Sequence, residues 1–134
     1  MLTKRVTIRY TKLGKDELDM LPEELAGRLS AAGHLQAGLS IYAAMENDTV
    51  IAACALRVRT ARSRPGKRTG ELLHLYTQED HRGLGHTRAL IRLVLEDASR
   101  QGLVCVDLDR TGDASSACRA LGFQDMDGRL RFFL

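Results

Sequence analysis

Apolar and polar positions alternate over residues 6–10 with the two-residue period of a half-exposed strand. The period then lengthens, and residues 16–32 read as helical, interrupted at Pro22 and ended at Gly33. The interruption allows two short helices in place of one. Residues 39–45 and 49–58 are strand-like runs separated by Glu46-Asn47-Asp48, a good hairpin turn. A polar stretch with Pro65 and Gly66 occupies 60–69, and a further strand is predicted over 70–77. Residues 87–101 place Leu90, Ile91, Val94, Leu95 and Ala98 on one face of a helix. The nearly continuous apolar run 103–108 predicts a strand covered on both faces. A short helix over 114–121, ended by Gly122, precedes a hairpin of 123–126 and 129–134 turning at Asp127-Gly128.

This alternation of strands and helices describes an α/β protein, a central twisted mixed β-sheet flanked by helices. A chain of 134 residues is long enough for one core, so residues 1–134 are expected to form a single domain. No apolar run reaches the twenty or so residues needed to span a bilayer, and the first residues lack the apolar stretch of a secretory signal. Cys54, Cys105 and Cys118 are widely spaced and odd in number, which suits reduced thiols better than a disulfide framework. A cytoplasmic protein without membrane association is expected. His34, His81 and His86 have no ligand spacing with one another or with cysteine, so no metal is expected.

Chemistry enters at residues 79–90, Glu-Asp-His-Arg-Gly-Leu-Gly-His-Thr-Arg-Ala-Leu, where a glycine-rich turn joins a strand to an amphipathic helix. Gly83 and Gly85 permit backbone angles and close approach that a side chain would block. The first-turn amides of the following helix and the positive end of its dipole then face whatever lies over the turn. Arg82 and Arg88 flank it and supply charge-assisted donors. The segment reads as a phosphate cradle. A dinucleotide-binding turn needs a third glycine where Arg88 stands, and a Walker loop needs Gly-Lys-Ser/Thr, which the chain lacks.

The cradle resembles the acetyl-CoA pyrophosphate loop of the GNAT superfamily of N-acetyltransferases, Gln/Arg-x-x-Gly-x-Gly/Ala. Arg82 and Gly85 match its defined positions and Thr87 departs from the third. Glu71-Leu72-Leu73-His74-Leu75-Tyr76-Thr77 is similar to the fourth strand of that family, and Leu121-Gly122-Phe123 to the end of its last helix motif. The resemblance implies the acyl-CoA N-acyltransferase fold and direct transfer of acetyl from acetyl-CoA to an amine acceptor. It implies that Arg82, Gly83, Leu84, Gly85, His86, Thr87 and Arg88 hold the pyrophosphate. The main chain near Leu75, Tyr76 and Thr77 would hold the pantetheine arm and thioester. Thr111 stands where the family often has asparagine, and Cys118 where many members have a tyrosine that protonates the CoA sulfur.

Acetyl transfer needs a group that takes the proton of the amine, and Glu71 and His74 are the candidates. A thiol at Cys118 either protonates the leaving thiolate or is an inert core residue. The cations Arg57, Arg59, Arg62, Arg64, Lys67 and Arg68 occur without an intervening acid and predict a solvated loop or a surface for a protein partner. Aromatic residues that would stack on bases are not interleaved with them, which argues against nucleic acid. The missing tyrosine and this basic segment keep a second function open: a weakly catalytic acetyl-CoA sensor acting on a partner, similar to the maturation factor of aspartate decarboxylase. The apolar Phe132-Phe133-Leu134 fits a monomer core or the sheet edge of a homodimer.

Overall fold

The computed structural model describes residues 7–31, with side chains to residue 28, and residues 39–60, 65–109 and 115–134. Strand β1 (Ile8–Lys12) leads through a 3-10 turn (Lys15–Met20) to helix α1 (Glu23–Ala31). The break expected at Pro22 therefore separates two helical pieces. Strands β2 (Leu39–Glu46) and β3 (Thr49–Thr60) form the hairpin, with Asn47 at a φ of 54°. Strand β4 (Arg68–Thr77), a short 3-10 turn (Glu79–His81) and helix α2 (His86–Arg100) follow, then β5 (Cys105–Asp109), α3 (Ser115–Leu121), β6 (Gln124–Met126) and β7 (Arg129–Phe133).

The strands lie in the order β1-β2-β3-β4-β5-β7-β6. The β4–β5 pair is parallel and the other pairs are antiparallel. The chain's last strand thus enters between β5 and β6, and its main chain pairs on both sides over Arg129 to Arg131.

Strand alternation sends side chains to two covered faces. Tyr42, Ala44, Leu56, Leu72, Val106 and Leu130 meet Leu90, Ile91, Val94 and Ala98 of α2. Ile41, Ala43, Met45, Ala53 and Ala55 meet Leu21 and Leu25 on the opposite face. Each fully buried Leu, Ile or Val contributes about 1.5–3 kcal/mol, so α2 is fixed mainly by its apolar stripe. A polar lock supplements it at the β2–α2 contact. The fully buried Tyr42 hydroxyl donates to Asp97, which also accepts from Lys12 Nζ at 3.0 Å and Gln101 Nε2 at 3.1 Å.

Burial pushes the Asp97 carboxyl upward, but the bonds from Tyr42, Lys12 and Gln101 outweigh it and hold it below the usual range. A depressed folded value stabilises the protein above the unfolded pKa, about 3.9, and that contribution disappears as pH falls through the folded value. Tyr42→Phe removes a hydrogen bond to a charged group, about 1.5–3 kcal/mol. At neutral pH the unfolding midpoint is expected to fall by roughly 5–10 °C. The gap from wild type should narrow below about pH 4; a gap independent of pH would mean the hydroxyl acts by packing alone.

Candidate active site

The site begins where two strands part. Strands β4 and β5 pair only from Gly70–Val106 to Leu72–Leu108, whereas β4 continues to Thr77 along β3. Within this extension the β3–β4 register slips, because Ala55 faces Leu73 and Ala53 faces Tyr76. One residue of β3 therefore opposes His74 and Leu75, the pattern of a β-bulge. His74 accommodates it with a φ of 52°, a region that histidine enters more readily than bulky or branched residues. The slip also reassigns side chains: Leu72 and Leu75 pack toward α2, Leu73 and Tyr76 toward the α1 face. The N–H of Gln78 bonds to Ile51 O at 2.7 Å. By strand alternation the main-chain groups of Tyr76 point the same way, and those of Leu75 and Thr77 point toward the parting from β5.

The cradle follows directly. Gly83 and Gly85 have φ values of 77° and 86°, and a Cβ on either would find open space. Gly85 caps α2 in the left-handed region, with no capping side chain and no acidic residue in the first helical turn. The first-turn amides are thus unpaired by any side-chain cap and stand in a positive field. Arg82, Gly83, Leu84, Gly85 and Arg88 are exposed around the turn. The Arg82 Nε–H donates to Thr77 O at 3.3 Å, and the Thr77 and Thr87 hydroxyls lie 3.0 Å apart. The hydroxyl that distinguishes Thr87 from glycine or alanine thereby ties the helix start to the end of β4.

His86 contributes its main chain to the cradle, while its side chain turns inward and is 6% exposed. Its Nδ1 lies 2.9 Å from the Tyr10 hydroxyl. The neighbouring His81 donates from Nε2 to Glu46 at 2.7 Å. Neither pairing has a signal in the linear sequence, since β1 and β2 supply the partners.

Glu71 lies on the α1 face, in a row of residues facing one another across four strands: Arg57, Glu71, Asp107 and Arg131. Its carboxylate is 3.2 Å from Arg57 and 3.6 Å from Arg59, and Asp107 receives a bidentate pair from Arg131 at 2.7 and 3.0 Å. Glu71, Leu73, Asp107, Asp109 and Arg129 line a shallow cleft where β4 and β5 separate. This row corrects the reading of 57–68 as a loop of unopposed cations. Arg57 and Arg59 belong to β3 and are met by Glu71, and Arg68 belongs to β4 and donates to Gln101 O. Arg62 and Arg64 lie outside the described residues, as does Thr111.

Cys118 is fully buried in α3, and burial pushes its thiol up to about 11. Cys54 is pushed to about 12 by the same cause. The Cys118 side chain is closed off from solvent, as the thiols of buried helix cysteines usually are. Among the described residues no three His, Cys, Asp or Glu side chains gather as metal ligands, and no helix is long and apolar enough to cross a membrane.

The model of the acetyltransferase (GNAT) family matches residues 10–123. No curated protein sequence matches the chain. An acetyltransferase from Trypanosoma brucei superimposes with a TM-score of 0.76 at 20% identity, covering 96% of this chain and 100% of its own. A predicted acetyltransferase from Clostridium acetobutylicum, solved with acetyl-CoA, gives 0.72 at 18% identity, covering 90% and 92%. Glucosamine-6-phosphate N-acetyltransferase from Arabidopsis thaliana gives 0.73 at 14% identity, covering 90% and 94%. At these identities the solved structures share the fold, a mixed sheet with flanking helices.

Proposed function

The chain belongs to the acetyltransferase (GNAT) family, and on that premise we propose that it transfers acetyl from acetyl-CoA directly to a primary amine of a small molecule or protein. The observation that carries this reading is the conjunction of the β4–β5 parting with an uncapped helix N-terminus at the end of the same strand. The amides from Gly83 to Arg88, with Arg82 and Arg88, receive the pyrophosphate. The main chain of Leu75 and Thr77 receives the pantetheine arm and polarises the thioester carbonyl. His74, at the bulge, takes the proton of the attacking amine. The N–C bond forms as the C–S bond breaks, and the CoA thiolate takes a proton from solvent; the burial of Cys118 supports that source over the thiol. Glu71, occupied by two guanidiniums, holds the acceptor side of the sheet in shape.

Saturating acetyl-CoA, at a hundred times the dissociation constant, stabilises the native state by about 2.7 kcal/mol. The unfolding midpoint is expected to rise by roughly 10 °C, with CoA thiol release on incubation with one member of an amine panel. No shift at millimolar acetyl-CoA would remove the reading.

The burial of Cys118 favours one second reading, a sensor that binds acetyl-CoA and regulates a partner protein, because slow thiolate protonation limits turnover. It predicts the same thermal shift, no CoA release with any amine, and a stoichiometric partner on purification.

A further inference from the structure

Beneath the cradle lies a cluster that acetyl transfer itself does not use. His81 immediately precedes Arg82, and His86 immediately follows Gly85, so the two imidazoles bracket the turn. Their ring centroids are 6.0 Å apart, and the Tyr10 ring is 6.1 Å from His86. Among the described residues each imidazole has one hydrogen bond: His81 Nε2 to Glu46, and His86 Nδ1 with the Tyr10 hydroxyl. The other nitrogens, His81 Nδ1 and His86 Nε2, are buried without a partner among the described residues. Each ring therefore hangs on a single bond. Both bonds end on the same ladder, because β1 pairs with β2 and places Ile8 opposite Glu46 and Tyr10 opposite Ala44.

We propose that His81 and His86 are positioning residues that fasten the two ends of the pyrophosphate turn to the β1–β2 edge, and that Glu46 and Tyr10 thereby set acetyl-CoA affinity. The proposal rests on the acetyl-CoA reading above. The turn itself is exposed, and its two glycines leave it with few conformational restraints. Amides that converge on a phosphate must be held before the ligand arrives, since ordering them on binding reduces affinity. The Thr77–Thr87 contact and the Arg82 bond tether the turn toward β4. The histidines tether it from the opposite side, so that it is held between two parts of the sheet. Neither Glu46 nor Tyr10 belongs to the cradle, and neither neighbours it in sequence.

Acetyl-CoA dissociation constants measured by calorimetry on the full chain test this, together with the ligand-free unfolding midpoints. Tyr10→Phe and Glu46→Ala are each expected to weaken binding about fivefold to tenfold, the equivalent of one net hydrogen bond. Glu46→Gln keeps an oxygen for the His81 N–H and is expected to restore wild-type affinity within about twofold, on the same hydrogen-bond argument. Variants that lower the unfolding midpoint but bind acetyl-CoA as wild type does would overturn the proposal, as would a Glu46→Gln protein as weak as Glu46→Ala. If the wild-type protein itself binds no acetyl-CoA, the underlying functional reading fails and this one falls with it.

Discussion

Gly85→Val is expected to abolish acetyl-CoA binding in a protein that still folds. The φ of 86° at Gly85 lies where a β-branched residue is a genuine outlier, and local strain of this kind costs about 1–3 kcal/mol. A Cβ there would touch nothing within 4 Å, so the core is not disturbed. That open space is where an anion would approach the first-turn amides, and valine fills it. Strain that re-aims the amides and bulk that blocks them act together, and the dissociation constant is expected to rise at least about a hundredfold, some 2.7 kcal/mol. Gly128→Val supplies the control, because Gly128 has a φ of 83°, equally open surroundings and a place in the β6–β7 turn. It should lose comparable stability and keep the acetyl-CoA thermal shift. Equal loss of the shift in both variants would trace the effect to general strain and remove the cradle from the argument.

The sequence makes this turn legible for a local reason. A glycine pair between a strand and an amphipathic helix specifies its own geometry within a few residues, and Gly83 and Gly85 do take positive φ values. The α2 stripe is legible in the same way, and Leu90, Ile91, Val94 and Ala98 are buried. Features that depend on pairing across the sheet are not. Residues 71–77 read as one uninterrupted strand, yet the bulge at His74 moves Leu75 onto the α2 face, because the slip is decided by how β4 meets β3. The cations between 57 and 68 look unopposed in the linear chain, while register places Arg57 beside Glu71. The same holds for the C-terminal hairpin. Its two strands are visible in the sequence, but the insertion of β7 between β5 and β6 is a property of the whole sheet. His81 and His86 show the limit most clearly, since His81 stands beside the motif and His86 within it, while their hydrogen-bond partners lie 35 and 76 residues away.

His74→Asn is expected to lower turnover by about a hundredfold or more while leaving acetyl-CoA binding intact, the magnitude typical of a lost general base. Asparagine is chosen because it enters the positive-φ region readily, so the bulge is kept and only the proton-accepting imidazole is lost. The location favours His74 over Glu71. His74 sits in the segment of β4 that has left β5, whereas Glu71 lies in the segment still paired with it. Single-turnover rates with saturating acetyl-CoA and the amine identified by the panel separate the two. If His74→Asn keeps its rate and Glu71→Gln loses it, the base is the carboxylate. If both keep their rates, the amine enters already neutral, and the parting strands accelerate transfer by position and carbonyl polarisation alone.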